Sequence, residues 1–122
     1  MNKKKLEALK SLGDMKISAS EIADARIDFA KSKSSCDKCK KICKWIIEKA
    51  AATGSCAAGA AALDGIFALA DIVFVEADEI LVPLEVVINV AWGTVCGEIG
   101  VKVLGKEADK YAKIWCQQAK IC

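Results

Sequence analysis

Apolar positions recur with three-and-four spacing in two stretches of the chain, and between those stretches polar residues become scarce. The first stripe is Cys36, Cys39, Cys43, Ile46 and Ala50, with Lys38, Lys41, Lys44 and Trp45 on the other side. It predicts a basic amphipathic helix over 36–52. Thr53-Gly54-Ser55 ends that helix and offers an N-cap for the next. The second stripe is Val101, Leu104, Ala108, Tyr111 and Trp115, with Cys122 in phase and Lys106, Lys113 and Lys120 opposite. It predicts another basic helix from Val101 to about Ala119, with one face for a core and one for water or anions.

Between these lies a run from Ala50 to Val101 without a single Lys or Arg. It contains AAGAAALDGIFALADIVFV and ILVPLEVVINVAW, and Cys56 and Cys96 stand near its ends. Cys56 to about Val75 reads as a helix that is apolar almost all round. Asp64, Asp71, Asp78 and Glu85 recur at seven-residue intervals and form a narrow acidic stripe. EADE then connects to a helix running towards Trp92, with Pro83 expected in its first turn. The β-branched ILVPLEVVINV also suits a strand. Gly93 and Gly97 have the spacing of close helix packing, a short pattern on its own. Carboxylates and Pro83 interrupt both apolar runs, which makes them poor resident membrane spans. The arrangement expected is an apolar helical insert clasped between two basic helices.

Upstream, residues 1–35 are rich in Lys, Ser and Ala and contain no Cys, Trp or Pro. Lys3–Leu12 predicts a short helix stopped by Gly13. Ser18 and Glu21 have capping-box spacing, followed by Ile22, Ala25 and Phe29 at helical intervals. Composition changes at KSKSS, just before the first cysteine. We read 1–35 as a helical leader or propeptide-like segment and 36–122 as the cysteine-rich domain, although surface helices of the same domain would have the same composition. A separable leader predicts few contacts from Leu6, Leu9, Ile22 or Phe29 into the domain. No secretory signal peptide is visible, because Glu7, Lys10, Asp14 and Lys16 interrupt any apolar segment behind MNKKK.

Composition sharpens this picture at two points. The net charge of +2 is zoned: residues 1–35 and 36–49 each carry +3, 50–101 carries −7, and 102–122 carries +3. A nucleic-acid binder concentrates its basic residues on one uncompensated surface, so that class is not expected. The chain also has seven cysteines and no histidine. Without His, without a nucleophile–base pair and without a Gly-rich phosphate loop, no enzyme is expected. Cys36-x-x-Cys39-x-x-x-Cys43 could hold a metal or cluster, but the ferredoxin spacing and a nearby second pair are both lacking. A thioredoxin-like role for Cys36 and Cys39 lacks its βαβ context. Disulfides between distant segments explain the distribution better, with no cofactor, although spacing alone leaves their connectivity open.

CDKC opening a helix and CQQAKIC closing the last one resemble the outer cysteine frame of saposin-like domains. That resemblance implies the pairs Cys36–Cys122, Cys39–Cys116 and Cys56–Cys96, with Cys43 left over. CDKC, CAAGAA, KEADKYAKIWC and CQQAKIC together resemble the halocin-type (microhalocin) cysteine-rich bacteriocins over 36–122. From the residues themselves we expect an all-α, disulfide-stabilised domain of about four helices behind a helical leader, and the second resemblance implies a precursor whose cysteine-rich C-terminal part is the mature antimicrobial. It also implies a secreted antimicrobial precursor, exported by a leader-dependent route, that acts on target-cell membrane lipid, with a cognate immunity protein and a dedicated exporter as partners. Lys38, Lys41, Lys44, Lys106, Lys113 and Lys120 would then meet lipid phosphate, and Trp45, set among lysines, would settle at headgroup level unless a neighbouring segment covers it. The rival readings are a saposin-like lipid carrier and an intracellular helical immunity or interaction module with reduced thiols.

Overall fold

The computed structural model describes residues 19–74 and 77–122. The expected helix over Lys3–Leu12, the capping role of Ser18 and the contacts of Leu6 and Leu9 lie outside the described residues. Six helices follow in order: α1 Ala19–Lys31, α2 Ser35–Ala51, α3 Cys56–Val73, α4 Asp78–Ile99, α5 Val101–Lys106 and α6 Ala108–Gln118. No strand occurs among the described residues, so ILVPLEVVINV is helical. The fold is all-α and stapled by three disulfides.

Local chemistry sets the helix boundaries. Ser34 caps α2 by accepting from the Asp37 N–H at 3.2 Å, and Ser55 caps α3 by accepting from the Ala58 N–H at 3.1 Å. Between them, the Thr53 hydroxyl donates to Ala50 O at 2.7 Å and Gly54 takes a φ of +91°, turning the chain back. Asp78 and Glu79 fill the first turn of α4, where carboxylates suit the helix dipole. That helix starts earlier than the sequence implies and runs further. Pro83 therefore falls inside it, and its missing N–H leaves Glu79 O without the usual helical donor.

The count of about four helices over 36–122 needs one division, and α1 is the helix expected in the segment before them. The predicted second basic helix divides at Glu107 (φ −101°, ψ 27°) into α5 and α6. At this bend Gly105 lies so close to α2 that a Cβ there would be 3.1 Å from the Ala51 Cβ.

The packing centre also differs from the expected clasp. Helix α2 touches every other helix, whereas the apolar run was expected to occupy the middle. It buries Cys39, Ile42, Cys43, Ile46, Ile47 and Ala50, a broader face than the cysteine stripe alone. Helices α3 and α4 form an antiparallel hairpin, and one side of this pair is buried against the others. The opposite flank of α4 stays in solvent: Val82, Val86 and Val90 are 64%, 64% and 74% exposed. Among the described residues no polar or charged side chain is buried, so the core is held by apolar burial and the bridges.

Candidate functional site

The bridges place the basic helices. Cys36 pairs with Cys122, Cys39 with Cys116 and Cys56 with Cys96, the same pairs that the saposin-like frame implies. Cys36 and Cys39 share the first turns of α2, and Cys116 lies near the end of α6. The first two bridges therefore set α2 and α6 side by side. Cys43, one turn further along α2, is buried and free. Burial pushes its thiol far above the usual range, because a thiolate there would lose its hydration. It is therefore an inert core residue with no access to redox or nucleophilic chemistry.

Along the exposed side of this helix pair runs an open groove of about 600 Å³. Lys40, Lys41 and Lys44 of α2 and Lys113 of α6 rim it, and Trp45, Phe74, Ala25 and Ala112 supply its apolar surface. Asp28, Glu48 and Asp109 also line it. Lys44 pairs with Asp109 at 3.1 Å and approaches Glu48 at 4.0 Å, while Lys41 donates to Asp28 O at 2.9 Å. These groups are exposed, where an ion pair contributes only about 0–1 kcal/mol. An incoming phosphate can displace such carboxylates at small cost.

Four of the residues singled out from the sequence, Lys41, Lys44, Trp45 and Lys113, thus meet at one groove. Lys38 instead stands over the Phe29 ring, 5.4 Å from its centroid. Lys106 and Lys120 are exposed elsewhere and do not line the groove. Trp45 is half-buried: it meets Phe74 edge to face at 5.5 Å, and Lys49 lies 5.9 Å from its centroid. The covering of Trp45 by a neighbouring loop, weighed above, accounts for one side of the ring. Sequence reasoning missed Lys40, Asp109 and Phe74. Phe74 ends an apolar run and could have been flagged as its aromatic terminus, but nothing in the order of residues brings Asp109 to Lys44.

The N-terminal segment is not remote from this groove. Phe29 of α1 packs against Phe74 at 5.3 Å, Arg26 Nη2 donates to Ile72 O at 3.2 Å, and Glu21 pairs with Lys49 at 2.7 Å. Ile22, Ala25 and Phe29 are all partly buried on the core. The few contacts expected of a leader do not describe these three side chains.

Fold and bridges define a small all-α protein stapled by disulfides, the construction of proteins that persist in oxidising, extracellular surroundings. Comparison of the chain with family models, curated proteins and solved structures finds no match. The site itself carries the functional argument.

Proposed function

We propose that this protein is a secreted antimicrobial of the bacteriocin type whose disulfide-stapled domain acts on target-cell membranes. The observation that carries this reading is the groove, where four lysines surround an apolar surface built on Trp45. Lysines at an anionic bilayer contribute roughly 1 kcal/mol each near the surface, and a tryptophan ring is at home at headgroup depth. A second surface supports the same reading. Although carboxylates and Pro83 argue against resident spans, helices α3 and α4 are long and apolar enough to cross a bilayer by length and composition, with mean hydropathy 1.7 in each. The lysines draw the domain to anionic lipid, and the apolar hairpin then enters the bilayer.

The reading is tested with dye-loaded vesicles of phosphatidylcholine, with and without phosphatidylglycerol, and with growth inhibition of a panel of bacteria and archaea. The parent protein should bind and permeabilise the anionic vesicles preferentially. Trp45→Ala should weaken both binding and killing while leaving helix content and the three bridges intact. Permeabilisation without killing would favour a lipid carrier. Absence of binding to either vesicle type would remove the membrane reading altogether.

A further inference from the structure

Two parts of the chain carry opposite charge that their own neighbours do not balance. The +3 of residues 1–35 sits entirely in residues 1–18, where Lys3, Lys4, Lys5, Lys10 and Lys16 outnumber Glu7 and Asp14. Residues 19–35 hold three basic and three acidic side chains and sum to zero. Residues 50–101 carry −7 without a Lys or Arg. Four of those carboxylates, Asp64, Asp71, Asp78 and Glu85, converge on a cleft of about 210 Å³ between α3 and α4. Folding thus turns the seven-residue acidic stripe into the two walls of one cleft.

The cleft also has an apolar lining, supplied by Phe67, Leu81 and Val82. Val82 is 64% exposed, and so is Val86 one turn further along α4. Carboxylates beside exposed apolar side chains, with no cation among the described lining residues, suit an occupant that brings lysines and leucines together. The segment before α1 has that chemistry. Its stretch Lys3–Leu12, expected to be helical, spaces Leu6, Leu9 and Leu12 by three among Lys3, Lys4, Lys5 and Lys10.

The course of α1 brings this segment to the cleft. Near its start Glu21 pairs with Lys49 at the end of α2, and near its end Phe29 packs on Phe74 just past α3. Helix α1 therefore runs parallel to α3. Arg26 reaches Ile72, and seven residues earlier, about 10 Å back along the axis, Ala19 comes level with the Asp64 turn of α3. The cleft lies on the far side of α3 from there, about 10 Å away, the width of one helix. Residues 13–18 reach about 20 Å when extended, enough to cross it. A helix over 3–12 is about 15 Å long and covers the roughly 10 Å between Asp64 and Asp71. A segment tethered this closely meets the cleft at an effective concentration of about millimolar.

We infer that the α3–α4 cleft is the docking site of the chain's own N-terminal segment. Lys3–Leu12 lies along it, with lysines on the cleft carboxylates and leucines on Phe67, Leu81 and Val82. The basic charge of 1–18 then offsets the acidic hairpin instead of forming a free tail. The inference stands independently of the membrane reading.

The test is amide hydrogen exchange of the full oxidised chain, read by mass spectrometry over 3–12. Reversing the cleft with Asp64→Lys and Glu85→Lys should speed exchange there by about tenfold, the loss of a few exposed ion pairs. Reversing the segment with Lys3→Glu, Lys4→Glu and Lys5→Glu should do the same. That set lies before all six helices, so it reports even where the cleft variant fails to fold. Combining both reversals should restore the slow exchange of the parent, which damage to the fold would not. Glu98→Lys, near the other end of α4 and outside the cleft, should change nothing. Exchange over 3–12 that is as fast in the parent as in the reversed variants overturns the inference. A combined variant that exchanges as fast as either single set overturns it too. Slowing that disappears on about hundredfold dilution also overturns it, and assigns the cleft to the segment of a second copy.

Discussion

Gly59 permits a substitution whose sign is opposite to its usual one. In a helix interior, Gly→Ala ordinarily stabilises by about 1 kcal/mol, because alanine loses less backbone freedom on folding. Gly59 lies in the second turn of α3, yet a Cβ there would stand 2.5 Å from Trp92 Cζ2 and 3.0 Å from Ala50 O. Neither neighbour can retreat easily. Trp92 is 1% exposed and its indole N–H donates to Cys56 O at 2.9 Å, and Ala50 O is backbone in the last turn of α2. Overpacking of this kind costs about 1–3 kcal/mol, and a displaced indole gives up a further hydrogen bond of about 1 kcal/mol. Set against the helix gain, Gly59→Ala should destabilise by about 1–3 kcal/mol and lower Tm by about 5–10 °C.

Gly93 is the internal control. It sits within α4, and a Cβ there would meet nothing within 4 Å, so Gly93→Ala should stabilise by about 1 kcal/mol. Urea unfolding of the oxidised protein, followed by tryptophan fluorescence and far-UV circular dichroism, gives both values from one experiment. A Gly59→Ala variant as stable as the parent would falsify the close seating of α3 between Trp92 and α2. Equal shifts in both variants would show that helix propensity alone is being measured.

Two further outcomes follow from the cysteines. Replacing Cys56 and Cys96 together with alanine opens a bridge of sequence separation 40 and should cost about 4 kcal/mol by the chain-entropy relation, read as a lower urea midpoint. Cys43 should resist iodoacetamide in the native protein and react once the chain is unfolded. Its raised native pKa also fixes the sign of a pH effect. In the unfolded chain the thiol ionises near about 8.5, so stability is unaffected below that pH and falls above it. By pH about 10 the loss should be about 2 kcal/mol. Cys43→Ala should show a flatter alkaline slope, and identical slopes would place the Cys43 thiol in contact with water.

What the sequence made legible, and what it did not, follows the kind of signal each element carries. Helix α2 was readable because its lysines mark one side, and α6 because Trp115 and Cys116 fall on its buried face. The hairpin gave no such marker. In α3 and α4 apolar residues surround the axis, so periodicity could not say that Leu84 and Ile88 face inward while Val86 and Val90 face water. The central position of α2 was hidden for the same reason: hydrophobicity concentrates in 50–101, but a broadly buried face belongs to the shorter, more polar helix. The close approach of Gly105 to Ala51, near the break at Glu107, joins segments more than fifty residues apart in the chain.

The groove was partly visible because Lys41, Lys44 and Trp45 mark one helix and Lys113 another. Its remaining wall was not, since Phe74 and Asp109 carry no such mark. The role of α1 was obscured by composition. A Lys-, Ser- and Ala-rich segment without cysteine reads as detachable, and no bridge ties it down. Phe29 and Arg26 nevertheless reach Phe74 and Ile72 at the hairpin tip.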